Sequence, residues 1–346
     1  MLTKTIRAGL FAAAALMATA AVAHAEITGA GSTFAAPIFT KWGEQSAAAG
    51  GEKLNYQAVG SGAGVTQIIN RTVDFGASDA PLPPDRLTGQ NLLQFPAVIG
   101  GVVVAVNIPG VDGNALKLTG PLLAEIYMGK IKMWSDAKIK ALNPGVKLPP
   151  IPIAQAYRAD SSGTTNIFTT YLASTNPAFG AAVGAGNAVA WKAGVGAPGN
   201  AGVAGAVRNT RGGLGYVEYA YATENGMQTP LIQNKSGAFV KPSTAAFAAA
   251  AATADWAHAP NMAASLLNTA GAPNWPIVGA TYVLLPKNPS NAAQSKKVMA
   301  FFDWAFKNGQ PAIDQLHYIA LPKAVQDLVR TKWKDVKFGG KSVYGS

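Results

Sequence analysis

Apolar positions along the chain change period several times. Residues 54–59 read as a strand, and after the glycines of 60–64 the apolar side chains Val65, Ile68 and Ile69 recur at i, i+3 and i+4, one face of a helix. Further strands are predicted at 73–77, 97–106, 151–156, 213–219 and 277–285. Helices are predicted at 122–128, 167–172, 298–307 and an alanine-rich 244–256, with another through Ile38, Phe39 and Trp42. Such alternation predicts an α/β fold. Segments 97–106 and 277–285 are both long, rich in β-branched residues and followed by proline, so they are expected to be paired crossings between two domains. Residues 179–211 are Gly/Ala-rich with few periodic apolar positions and read as loops on one lobe. No repeat of 20 to 50 residues is evident.

The first 25 residues belong to no predicted core. Lys4 and Arg7 precede an apolar run that ends in Ala23-His24-Ala25, the pattern of a cleaved secretory signal peptide with the cut after Ala25. Cysteine is absent from the sequence, which excludes a disulfide framework and thiolate chemistry. The expected compartment is a bacterial periplasm. About 320 residues would then remain, enough for two cores. Charged residues make up 13% and hydrophobic ones 49%, the composition of a packed globule. Without Lys4 and Arg7 there are 26 basic and 17 acidic residues, a formal +9 that favours encounters with anions. Scattered solvated lysines account for most of that charge, and no basic cluster interleaved with aromatics points to nucleic acid.

Three stretches carry candidate anion chemistry. In Arg158-Ala159-Asp160-Ser161-Ser162-Gly163-Thr164-Thr165 a guanidinium fork is followed by a carboxylate that can hold it in place, then by hydroxyls at a helix start, where free N–H groups favour negative charge. Ser162 reads equally well as an ordinary N-cap. Gly29-Ala30-Gly31-Ser32-Thr33-Phe34 lets backbone approach a ligand closely, though it also reads as a turn before a capped helix; Phe34 spoils it as a dinucleotide fingerprint. Gly60-Ser61-Gly62-Ala63-Gly64 is the third. Asp79 ends an apolar strand before a proline-rich loop, the strand end at which open α/β sheets bind ligands. A carboxylate suits an anion only if the anion brings a proton. Phosphate does so near neutral pH, with a second pKa of about 6 to 7, whereas sulfate does not. The simpler reading of Asp79 is a bond to nearby turn amides.

Other chemistries lack their residues. There is no Gly-x-x-x-x-Gly-Lys-Ser/Thr, and 76–80 misses the last glycine of a Gly-x-Ser-x-Gly elbow. His258 and His317 stand apart from any spaced ligand set, so no metal is expected. The tryptophans, Trp42, Trp191, Trp256 and Trp304 among them, fall mostly on apolar faces and are expected in the core.

With these loops, Asp74-Phe75-Gly76-Ala77-Ser78-Asp79-Ala80-Pro81, Gln94-Phe95-Pro96, Asn107-Ile108-Pro109-Gly110 and Gly215-Tyr216-Val217-Glu218-Tyr219, the chain resembles the periplasmic phosphate-binding proteins of phosphate-specific ABC transporters. The resemblance runs through most of the chain beyond residue 25. It implies a two-lobed type II solute-binding fold, mixed sheets flanked by helices with the cleft between lobes. Lobe I would comprise 26–99 and 279–346, and lobe II 100–278. It further implies that Thr33, Phe34 and Ser61 donate to phosphate from lobe I, with Ser32 adding backbone contact only, and that Asp79 accepts the ligand's proton. Arg158, paired with Asp160, and Ser162, Gly163 and Thr164 would complete the cage from lobe II. Ser161 departs from the pattern, since glycine often stands there; if the position needs a positive φ, serine would cost about 1 kcal/mol or more.

The function expected is binding of inorganic phosphate by a monomer and its delivery to membrane permease subunits, without catalysis, cofactor or metal. A secreted phosphatase on the same lobes is the alternative, since hydroxyls, an arginine and a carboxylate around phosphate can support cleavage. A surface-scaffold role on the same fold is a third.

Overall fold

The computed structural model describes residues 26–345 of the 346-residue chain; the predicted signal peptide, residues 1–25, lies outside them. The strands in chain order are β1 (Ile27–Gly31), β2 (Leu54–Gln57), β3 (Phe75–Ser78), β4 (Leu92–Asn107), β5 (Lys117–Leu118), β6 (Ala154–Arg158), β7 (Val195–Ala197), β8 (Gly213–Glu218), β9 (Leu231–Gln233), β10 (Phe239–Val240), β11 (Val278–Pro286), β12 (Lys337–Phe338) and β13 (Lys341–Ser342). The helices used below are α1 (Ala36–Ala48), α2 (Ser61–Ile69), α3 (Pro84–Gly89), α4 (Gly120–Tyr127), α5 (Ala137–Leu142), α6 (Gly163–Thr175), α7 (Pro177–Ala182), α8 (Gly199–Asn209) and α9 (Tyr219–Glu224).

One mixed sheet of eight strands, in the order β2-β1-β3-β11-β4-β8-β6-β7, organises the molecule. On one side of its centre β1, β2 and β3 run parallel, and on the other β6, β7 and β8 do. The antiparallel pair β4 and β11 joins the two sets. Residues 92–101 of β4 pair with β11, and Val102 to Asn107 pair with β8, so this one strand passes from the first half of the sheet into the second. Every residue of β11 and all but the last of β4 are buried, which is why both read as unbroken apolar runs rather than alternating ones.

Each half has its own aromatic packing. Phe39, Phe75, Phe95, Phe302 and Trp333 meet edge to face under the first half. Tyr127, Phe168, Trp191 and Tyr216 pack under the second. Trp42 and Trp256 are buried as expected, while Trp191 and Trp304 are only partly covered.

Element boundaries moved by a few residues, and one expectation fails outright. Residues 179–211, read as loops, contain the end of α7, then β7 and α8. In α8 the buried side chains are Asn200, Val203, Ala204 and Val207, a helical period whose apolar members are few and small. They suit the tight packing on β8, where a Cβ at Gly215 would lie 2.6 Å from the Val207 side chain. The alanine-rich helix spans Thr244–Ala251, so Trp256 lies beyond it. Among the described residues no helix is long and apolar enough to cross a membrane.

Candidate functional site

In parallel α/β sheets the carboxyl ends of strands carry the ligand-facing loops. Here β1 ends at Gly31, β3 at Ser78, β6 at Arg158 and β7 at Ala197, and the segments that follow all meet between the two halves. Gly31, at φ 138°, comes so close to β3 that an added Cβ would sit 2.0 Å from the Ala77 carbonyl oxygen. Three tyrosines from separate parts of the chain then hold the loop after β1. Tyr56 donates to the carbonyl of Ser32 at 2.8 Å, Tyr221 to that of Thr33 at 2.7 Å and Tyr318 to that of Phe34 at 2.5 Å. With those oxygens occupied, the Thr33 and Phe34 N–H groups remain; neither has an acceptor among the described residues, nor do those of Ser61 and Thr164. Buried N–H groups without partners are rare in folded proteins and costly.

Asp79 is 3% exposed, directly after β3. Its Oδ1 accepts from Ser32 Oγ at 2.5 Å and from Thr281 Oγ1 at 2.7 Å, while Oδ2 accepts only a long bond of 3.3 Å from Ser61 Oγ. Oδ2 faces the start of α6, since a Cβ on Gly163 would lie 2.6 Å from it. Burial pushes the Asp79 carboxyl up to about 6, although the hydroxyls of Ser32, Thr281 and Ser61 and the Arg158 charge pull the other way.

Opposite stands Arg158, 4% exposed. Its Nε donates to Asp160 Oδ1 at 2.8 Å, Nη2 bonds Asp160 Oδ2, and Nη1 donates to Thr164 Oγ1 at 3.2 Å. A guanidinium has five N–H donors, so two remain. Burial raises Asp160, but the Arg158 hydrogen bonds and charge, with the Gly199 N–H, outweigh it and hold the carboxyl below its ordinary value.

The hydroxyls share one polarity. Ser61 Oγ receives N–H bonds from Asp79 at 3.2 Å and Gly163 at 3.1 Å. Thr164 Oγ1 receives Arg158 Nη1 and, at 3.1 Å, Asn200 Nδ2. Thr33 Oγ1 receives Asn200 Nδ2 at 2.8 Å and Asn200 N at 3.3 Å. Ser162 is the N-cap of α6, accepting from Thr165 N at 3.1 Å. A hydroxyl has two lone pairs and one proton, so these groups are left mainly as proton donors. The assembly is a shell of donors with one carboxylate oxygen open to accept.

All ten sequence-predicted residues lie in or against this cluster, with two differences in what they offer and one outcome for their neighbour Ser161. Ser32 donates its N–H to Ala77 O at 2.9 Å and its hydroxyl to Asp79, so both donors are spent inside the protein and the expected backbone contact is not open to it. The Gly163 N–H is likewise given to Ser61. Ser161 is absent from the residues of positive φ, so it carries no such strain; its carbonyl accepts from Gly62 N at 2.9 Å across the two halves. Sequence reasoning missed Asn200 and Thr281. Asn200 lay in the stretch read as loops, and Thr281 is the one aliphatic hydroxyl in the otherwise apolar and aromatic β11, a signal present in the sequence. A groove of about 690 Å³, lined among others by Gly62, Thr66, Arg86, Ser161 and Asn166, opens beside the cluster.

Comparison with known proteins gives consistent results. The PBP superfamily domain matches residues 18–308. The phosphate-binding protein PstS of Haemophilus influenzae is 46% identical over 308 residues, covering 89% of this chain and 92% of that protein. PstS of Xylella fastidiosa is 44% identical, covering 89% and 85%. Among solved structures, the phosphate-bound periplasmic protein PfluDING superposes with a TM-score of 0.73 at 23% identity, covering 92% of this chain and 98% of that one. The phosphate-binding protein of Stenotrophomonas maltophilia gives 0.67 at 22%, covering 89% and 94%. These two identities speak to the fold alone, which is the two-lobed binding-protein fold. The chain belongs to the PstS family of phosphate-binding proteins, within the PBP superfamily.

Proposed function

We propose that this protein captures inorganic phosphate between the two halves of its sheet and delivers it, in the periplasm, to the permease of an ABC importer. The observation that carries the reading is Asp79, a buried carboxylate whose Oδ2 receives only one long bond, from Ser61, and so keeps acceptor capacity inside a shell of donors. Phosphate brings both the oxygens that the donors need and the proton that Oδ2 can accept. Sulfate would set a bare oxygen against Oδ2. In this reading the N–H groups of Thr33, Phe34, Ser61 and Thr164, the hydroxyls of Thr33, Ser162 and Thr164, and Arg158 donate to the anion, while the Ser61 hydroxyl donates to Asp79 Oδ2. Ser32 and Thr281 hold Asp79, Asp160 aims Arg158, and Gly163 brings α6 against Ser61.

The same polarity supports binding over hydrolysis. A nucleophilic hydroxyl attacks through a lone pair, and those of Ser61, Thr33 and Thr164 are engaged by N–H donors. The lobes of this reading are 26–99 with 279–346 and 100–278, turning about β4 and the approach to β11. The protein works as a monomer, without metal or cofactor, and its partners are the permease subunits. The names of the PstS relatives support the ligand. The test is calorimetric titration of ligand-stripped protein with phosphate, sulfate and arsenate, beside an assay with a chromogenic phosphoester. Tight phosphate binding without turnover is expected; turnover abolished by Ser61→Ala, or no phosphate binding, would overturn the proposal.

A further inference from the structure

Asn200, at the start of α8, is fully buried, and all its polar groups are committed. Its Oδ1 accepts from the Glu218 N–H at 2.9 Å, which fixes which way the amide faces. The Nδ2 group therefore points the other way, with one proton toward Thr33 Oγ1 at 2.8 Å and the other toward Thr164 Oγ1 at 3.1 Å. Thr33 follows β1 in the first half of the sheet, and Thr164 lies in α6 after β6 of the second. One side chain thus touches a hydroxyl from each half.

We infer that Asn200 is a positioning residue for the anion: it fills acceptor lone pairs on Thr33 and Thr164 so that both hydroxyl protons are presented to the ligand, and it ties the two halves together in the closed form. Thr33 Oγ1 has both lone pairs taken by Asn200, through Nδ2 and N. Thr164 Oγ1 has one taken by Asn200 and one by Arg158 Nη1. Neither hydroxyl can turn its proton inward without colliding with an N–H. Asn200 makes no contact with the ligand in this scheme. It acts by removing the hydroxyls' alternative orientation, so the cost of ordering two rotors is met in the fold rather than on binding. The inference deepens the phosphate reading and rests on it.

The test is calorimetric phosphate titration of the ligand-stripped wild type, Asn200→Ala and Asn200→Asp, and of the Thr33→Val/Thr164→Val background with and without Asn200→Ala. Asn200→Ala should weaken binding roughly 10- to 100-fold, because two charge-assisted hydrogen bonds lose their preset direction. On the valine background the same change should matter by less than about threefold, since no hydroxyl is left to direct. Asn200→Asp keeps the shape and the acceptor for Glu218 N–H but draws both hydroxyl protons toward itself, so it should lose on the order of 10³-fold. An equal loss from Asn200→Ala in both backgrounds would show a purely structural residue and overturn the inference. Should Asn200→Ala not fold, Asn200→Asp decides alone, and near wild-type affinity there overturns it. A wild type that ignores phosphate would instead strike the functional reading itself.

Discussion

Replacing Asp79 by asparagine tests the logic of the site in one isosteric step. Oδ1 receives hydroxyl protons from Ser32 at 2.5 Å and Thr281 at 2.7 Å, so the amide oxygen must take that place. The amide NH2 then falls where Oδ2 was, facing the start of α6, and the one open acceptor becomes a donor. At pH 8 phosphate and sulfate are both dianions, so this removes a like charge for either; for sulfate alone it also removes an oxygen–oxygen contact with no proton between. Two unit charges about 4 Å apart repel by about 4 kcal/mol at an effective dielectric of 20, but that relief is common to both anions and cancels in their ratio. For phosphate it removes a hydrogen bond to a charged acceptor, worth about 1.5–3 kcal/mol, and supplies a neutral contact in return. The hydrogen bond is the part that differs between the two anions, so the preference for phosphate over sulfate should shrink by roughly 10- to 10²-fold. Competition calorimetry of ligand-stripped wild type and Asp79→Asn at pH 8 reads the ratio directly. A ratio unchanged within about threefold would refute the reasoning, because it would mean that Oδ2 does not meet the anion.

Other perturbations separate the remaining parts. Arg158→Ala removes two free guanidinium donors and leaves Asp160 without its partner, so phosphate binding should weaken by about 3 kcal/mol, roughly 10²-fold by calorimetry; near-native affinity would remove Arg158 from the site. Gly163→Ala would set a methyl 2.5 Å from Ser61 Oγ and 2.6 Å from Asp79 Oδ2. It should block closure, costing on the order of 10²-fold in affinity while the melting temperature of ligand-free protein stays within a few degrees; a large drop in that temperature would show that the contact supports folding instead. Burial, only partly offset by the Ala220 N–H and the Tyr318 hydroxyl, holds the Glu218 carboxyl well above its ordinary value. An acid raised in the folded state stabilises the fold fully below its unfolded value and loses that contribution as pH climbs through the folded one, at about 1.4 kcal/mol per unit. Urea midpoints of ligand-free protein should thus fall from pH 5 to pH 8 less steeply in Glu218→Gln than in wild type, and an equal fall would contradict the assignment.

Much of this site was legible because its parts announce themselves locally. Glycine pairs before hydroxyls, an arginine two residues ahead of an aspartate, and a lone aspartate at the end of an apolar strand are each visible within eight residues. The crossing strands were legible because burial on both faces leaves unbroken apolar runs. What was not legible depends on long-range geometry. Asn200 gains its meaning from Thr33, 167 positions away, and Thr281 from Asp79, 202 away. The helix that carries Asn200 hides because it packs small side chains on a glycine-bearing strand, so its apolar period is faint. Ser32 shows the opposite limit. Its residue type marks an anion loop, yet only the structure shows its hydroxyl and N–H turned to Asp79 and Ala77.

Phosphate selectivity here depends on the anion bringing a proton and donating it in a hydrogen bond to Asp79. Neutron diffraction from crystals of the phosphate complex grown near pH 8 locates that proton. A phosphate oxygen is expected about 2.5 to 2.7 Å from Asp79 Oδ2 with hydrogen density between them, while the Ser32 and Thr281 hydroxyls, each keeping its own proton, still donate to Oδ1. A phosphate whose nearest oxygen stands beyond about 3.5 Å from Oδ2, or one that meets Asp79 only through water, would contradict it.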